Sequence, residues 1–152
     1  MKMNYQEFIK KGLLKEEKIG FDQINKVIER AYRNLKSAKT LIKDGDEEGG
    51  FRFAYEAMLL AGRTLIFSYG LRPRVVGSHK IVVDFTEKIL GNEYKVLAQK
   101  FDKMRKKRNY LIYGTGLTAS KTEAENAIKT AEKFIEKIRE IIEKKSPQLK
   151  LI

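Results

Sequence analysis

The strongest constraint on this chain is the spacing of its apolar residues, which recur every three or four positions through four long stretches and almost nowhere alternate. A period near 3.6 buries one stripe of a helix, whereas a strand face needs a period of two, so the spacing predicts an all-α fold. The first stretch carries Ile24, Val27, Ile28, Ala31, Leu35, Ala38 and Leu41 or Ile42; Asp22 can cap it, and it stops near Gly45. The acidic turn DGDEEGG then leads into a helix from about Glu48 to Tyr69, where acids suit the positive end of the dipole. On that helix Phe53, Ala57, Leu60, Ala61, Thr64, Leu65 and Phe67 are expected inside, several of them small enough for close helix approach. Gly70, with Pro73 after it, marks the stop.

LRPRVVGSHK connects to a shorter helix, about His79 to Leu90, with Ser78 as the expected N-cap. A third long helix covers roughly Asn92 to Tyr113 and is broken by GTG. Ser120 and Glu123 form an S-x-x-E capping box that opens the last, from about Lys121 to Lys144. Its buried face runs through Ala124, Ala127, Ile128, Ala131, Phe134, Ile135, Ile138, Ile141 and Ile142. Four long helices with short connections predict an up-and-down four-helix bundle with one or two short additional helices. At 152 residues a single domain is expected, with residues 1–20 as an N-terminal extension and 145–152 as a loose tail.

Composition excludes several chemistries. Without cysteine there is no disulfide, thiolate metal site or cysteine nucleophile, and a reducing cytoplasm is the natural setting. His79 is the sole histidine, so any imidazole chemistry must use it. No apolar run approaches the ~18–20 residues that cross a bilayer, and MKMNYQEFIKKG lacks the apolar centre of a signal peptide, so no membrane role is expected. No phosphate-binding glycine loop, zinc motif or Ser-His-Asp set is present, and neither metal nor cofactor is expected. The 32 Lys+Arg against 20 Asp+Glu, a net charge of +12, fit either a polyanionic partner or a solvated surface of ion pairs.

One stretch, KFDKMRKKRNYLIYG, breaks the helical rhythm. Tyr94, Leu97, Phe101, Met104 and Leu111 keep the apolar line, and Arg108 stands where the missing step should be. An arginine there must meet a carboxylate, face a groove or dimer interface, or snorkel outward, because burying it unpaired costs several kcal/mol. Arg105 lies three residues before it, Asn109 beside it, and Tyr113 four residues after Asn109, so these four make a polar, basic patch at a helix C-terminus. Glu56 is a candidate carboxylate for Arg105 or Arg108; as an alternative it is an exposed flank residue. The run Lys100, Lys103, Arg105, Lys106, Lys107, Arg108 suits RNA or nucleotide contact, an acidic protein, or plain solvation. Arg72, Arg74 and His79, with Lys80 nearby, extend a phosphate surface or belong to a solvated loop; the His79 ring is expected to pack on or bond to a neighbouring helix end. Tyr110 is expected in packing, and Tyr113 either in packing or in base stacking.

RNYLIY, together with FRFAYEAMLLAGRTLIFSYG and GSHK, resembles the HEPN family of small helical bundles over roughly Phe21 to Lys144. That family's hallmark is an arginine, usually followed by a polar residue such as Asn, with four to six residues in all before a histidine; Arg108 and Asn109 match, and Tyr113 occupies the histidine position at the four-residue spacing. The resemblance implies a site shared by two protomers, in which arginine stabilises phosphate charge and histidine assists metal-free attack by the 2′-hydroxyl of RNA. Tyrosine, with an unperturbed pKa near 10, is a poor base at neutral pH. Thr115 stands where some toxin members carry a modifiable tyrosine. The expectation is a homodimer binding RNA or nucleotide phosphate through a degenerate R-N-x3-Y site of Arg108, Asn109 and Tyr113, without efficient cleavage. Arg105, Lys106, Lys107, Arg72, Arg74 and His79 would supply further phosphate contacts. The alternatives are the interaction half of a toxin–antitoxin-type pair with a nucleotidyltransferase-like partner, and a weak metal-independent endoribonuclease.

Overall fold

A computed structural model describes residues 5–75, 78–114 and 118–145. In chain order the elements are α1 (Gln6–Lys10), β1 (Leu14–Glu16), α2 (Phe21–Lys43), α3 (Glu47–Ser68), β2 (Leu71–Pro73), α4 (His79–Leu90), α5 (Lys95–Ile112) and α6 (Lys121–Lys145). A single 3-10 turn, Asn92–Tyr94, precedes α5. Helix α3 is the centre of the bundle. Helices α2 and α6 pack on it and on each other, while α4 and α5 form a second pair against it.

Sequence explains the centrality of α3. Small residues at Ala54, Ala57 and Ala61 alternate with Met58, Leu59, Leu65 and Ile66, all fully buried, so apolar surface faces nearly every direction. Gly62 lets α4 come close, because a Cβ there would sit 2.5 Å from Val82 Cγ1 and 3.6 Å from Phe101 Cε2. The expected buried stripes of α2 and α6 are largely found, with Val27, Leu41, Ile42 and Ile141 only half-buried.

Several boundaries differ from expectation. Gly20, not Asp22, is the N-cap of α2, and its N–H donates to Gln23 Oε1 at 3.2 Å. Asp46 caps α3 by accepting from the Gly49 N–H at 2.8 Å. Phe53 lies on the solvent side of α3 at 40% exposure, since the core phase runs through Phe51, Ala54, Tyr55 and Met58 instead. Helix α4 has the expected bounds, yet the Ser78 side chain makes no capping bond.

The bundle also carries a two-stranded antiparallel ribbon, β1 with β2, pairing Leu14 with Pro73 and Glu16 with Leu71. Three residues per strand are too few for a period of two to register, which is why the all-α expectation passed over them. The ribbon draws part of the N-terminal extension into the fold: Leu14 is fully buried, and the Phe8 ring meets Phe85 at 5.9 Å between centroids. Of the tail expected at 145–152, Lys145 closes α6 and the remainder lies outside the described residues.

The capping box of α6 is formed: the Ser120 N–H donates to Glu123 Oε1 at 3.0 Å, and the Glu123 N–H to Ser120 Oγ at 3.1 Å. Replacing Ser120 with alanine removes one half of that exchange and is expected to cost about 1 kcal/mol in a thermal melt, whereas an unchanged midpoint would mean the box contributes nothing.

Candidate functional site

The basic run of α5 divides between two sides of the helix. Lys100 and Lys103 share a groove with α6, and Lys107, one turn on, pairs with Glu123 at 3.2 Å and donates to the Thr118 carbonyl at 2.9 Å. Lys107 therefore ties α5 to the start of α6 rather than joining the arginines. Arg105 and Arg108 face α4. Arg105 Nε donates to Asp102 Oδ1 at 2.9 Å, and the same carboxylate draws Lys106 to 3.4 Å and Lys80 of α4 to 3.9 Å. Burial works against the charged form of Asp102, but the Arg105 hydrogen bond and the surrounding positive charges hold its carboxyl below the usual range. Asp102, one helical turn before Arg105, is thus the partner of this arginine, not Glu56.

Arg108 is half-buried, and its Nη1 donates to Asn109 Oδ1 at 3.3 Å. Among the described residues no carboxylate pairs with Arg108, nor with Arg63, a half-buried cation on α3. Between α3 and α5 stands His79, the first residue of α4. Its Nδ1 lies 2.9 Å from the hydroxyl of the buried Tyr55, and the two rings are tilted against each other with centroids 5.7 Å apart. Burial and the positive charges of Arg108, Arg63 and Arg105 push the His79 pKa down from 6.5 to about 4. Burial raises the Tyr55 pKa well above its ordinary value, against the opposing pull of Arg108. Three helices therefore bring together a neutral imidazole, a phenol that keeps its proton and three guanidinium groups, of which Arg105 alone is neutralised.

This depression of the His79 pKa has a consequence for stability. Between pH 6.5 and about 4 the unfolded chain takes up a proton at His79 that the folded chain refuses, so stability is complete above 6.5 and falls as pH drops toward 4. Denaturation midpoints measured at pH 7.5 and 4.5 are expected to differ more for the parent than for His79→Gln; equal pH slopes would refute the buried, neutral ring.

Tyr113 does not join the cluster. Helix α5 ends at Ile112, Tyr113 is its C-cap with its N–H bonded to the Asn109 carbonyl at 3.0 Å, and its ring is 78% exposed. The four-residue relation to Asn109 is kept by that bond, but the ring projects into solvent instead of onto the cluster. Tyr110 is 59% exposed rather than packed. Arg72 is held by Glu17 at 2.9 Å, and Arg74 is exposed, with its backbone N–H bonded to the Leu13 carbonyl at 3.0 Å. Thr115 lies outside the described residues.

Tyr55 and Arg63 are the members that reading along the sequence missed. The available signal was an arginine within the apolar run LLAGRTLIF, eight residues after a tyrosine and so about a quarter-turn from it around α3. Among the described residues no group of His, Asp and Glu side chains could hold a metal ion, and no helix is long and apolar enough to cross a membrane.

A family model for the HEPN domain matches residues 24–141, which spans α2 through most of α6. Comparison with curated proteins finds no match.

Proposed function

The chain belongs to the HEPN family, and on that premise we propose that it is a homodimeric, cytoplasmic protein that binds RNA or a nucleotide phosphate through Arg108 and its neighbours, without efficient cleavage. The observation that carries this reading is Arg108 itself, a half-buried cation with no carboxylate among the described residues, set beside a neutral histidine. A guanidinium presents paired donors in a planar fork that matches two phosphate oxygens, and desolvation strengthens that bond. Arg63 adds a second unpaired charge from α3. Lys106 and Arg105 can follow once Asp102 releases them, while Lys107 and Arg72, engaged by Glu123 and Glu17, contribute through the field alone.

The chemistry of His79 sets the limit on cleavage. When Tyr55 donates to Nδ1, the imidazole keeps its proton on Nε2 and offers a phosphate a hydrogen bond. When Tyr55 accepts instead, Nε2 is a free base. Its pKa of about 4 makes that base weak at neutral pH. A bound phosphate reverses part of the depression, because negative charge beside the ring favours its protonated form.

The proximity of His79 to Arg108 also favours a second reading, a slow metal-independent ribonuclease. There Nε2 takes the proton of the 2′-hydroxyl, the freed oxygen attacks phosphorus, and the bond to the 5′-oxygen breaks as that oxygen takes the proton back from Nε2. A 2′,3′-cyclic phosphate remains, with Arg108 balancing the charge that develops on the phosphoryl oxygens.

The test is a binding and cleavage assay on single-stranded RNA in the presence of a chelator, with Arg108→Ala and His79→Ala beside the parent. Binding that weakens with Arg108→Ala, without turnover, is the expected result. Cleavage abolished by both substitutions selects the ribonuclease, and RNA affinity indifferent to Arg108 overturns both readings.

A further inference from the structure

A groove between α5 and α6 encloses about 490 Å³; its α5 wall uses the stripe of Leu97 and Met104 that Arg108 continues one turn on, but it opens on the side toward α6, where Lys100 and Lys103 stand. Its floor is apolar, made by Phe51 of α3, Leu97 and Met104 of α5, and Ala127 of α6. Its rim carries Lys100, Lys103, Lys129 and Lys133, all exposed and none in an ion pair with a described residue. Glu123, the lone acid on this rim, is spent: one oxygen accepts from the Ser120 N–H and the other pairs with Lys107. A neighbouring depression shares Leu97, Lys100 and Lys133 but is lined by Glu93, Glu132, Glu136 and Glu140, so the cationic groove ends there.

We infer that this groove is a docking site for an acidic amphipathic segment of a partner protein. Four ammonium groups without carboxylates, around a floor of aliphatic and aromatic carbon, are complementary to a peptide that alternates acidic and apolar side chains at helical spacing. Asn126 and Thr130 on the α6 wall can bond polar groups of such a segment. RNA fits poorly. The groove offers no guanidinium fork, and its one aromatic ring, Phe51, is only 5% exposed and cannot serve as a stacking platform.

The probe is a fluorescent synthetic 16-residue peptide with leucines at i, i+3, i+4 and i+7 and glutamates elsewhere. It is compared with a scrambled peptide of the same composition and with a single-stranded RNA of equal length. The patterned peptide is expected to bind the parent protein about tenfold more tightly than the scramble, and to lose about tenfold in Lys100→Glu/Lys133→Glu. Arg108→Ala should leave peptide binding unchanged, which separates a failure of this inference from a failure of the phosphate site. Equal affinity for the scramble, or no peptide binding, overturns the docking groove. So does a double variant that loses RNA while keeping the peptide. Should the first double variant fail to fold by circular dichroism, Lys103→Glu/Lys129→Glu applies the same test from the other diagonal of the rim.

Discussion

Replacing Phe101 with alanine is expected to destabilise the protein by about 3–5 kcal/mol, a large part of the ~5–15 kcal/mol that holds a domain folded. The ring is fully buried, meets Phe134 of α6 at 4.9 Å and Tyr55 of α3 at 5.9 Å between centroids, and fills the space left open by Gly62. Truncation removes both the transferred surface and the contacts of everything around the resulting cavity. In urea the midpoint should fall with little change in slope, and Phe53→Ala, taken from a 40% exposed position, should shift it by a few tenths of a kcal/mol. Similar losses in the two variants would sink this account of the core. The same ring supports Tyr55, which bonds His79, so the packing of α5 also sets the geometry of the candidate site.

For Arg108→Ala the expected result is the reverse: a stable protein with a damaged site. A charge-assisted hydrogen bond to phosphate contributes about 1.5–3 kcal/mol, so affinity for single-stranded RNA should weaken roughly 10- to 100-fold. Arg108→Lys should recover only part of this, since an ammonium keeps the charge and loses the fork. No ion pair among the described residues is lost with the side chain, and the melting temperature should hardly move. An independent readout comes from His79. Removing the Arg108 charge should raise its pKa from about 4 toward 6.5, part of the way only, because burial is the larger cause. An imidazole NMR titration that stays where it was would show that Arg108 does not face the histidine, whatever the RNA assay says.

Much of this fold is legible in the order of residues, and the site much less so. Each long helix announces itself by a stripe that needs only neighbours three and four positions away, and the start of α6 is written in two side chains, Ser120 and Glu123. The phase of α3 is harder to read, because a helix buried on most sides has too many apolar residues for one face to stand out, and Phe53 was misplaced for that reason. Arg108 was visible as a defect in the α5 stripe. Its surroundings were not, since Tyr55, Arg63 and His79 arrive from α3 and α4 at separations that no local pattern encodes. The spacing of Tyr113 from Asn109 was legible and holds through the last helical bond of α5, but the exposure of its ring, 78%, is a property of the helix end that no spacing encodes.

Asp102 carries a consequence for how the protein would meet a polyanion. One carboxylate already screens Lys80, Arg105 and Lys106, so these cations hold fewer mobile anions from the buffer than their number suggests. Affinity for a nucleic acid is driven in large part by the release of small ions into solution, and a cation neutralised from within has few to release. The entropy available to this protein is therefore set by the cations without a carboxylate among the described residues, Arg108, Arg63 and the four lysines of the α5–α6 groove among them, rather than by the count of lysine and arginine alone. A binding surface of this kind is graded by its internal pairing: a cation already held by a carboxylate adds less to affinity than a bare one of the same charge.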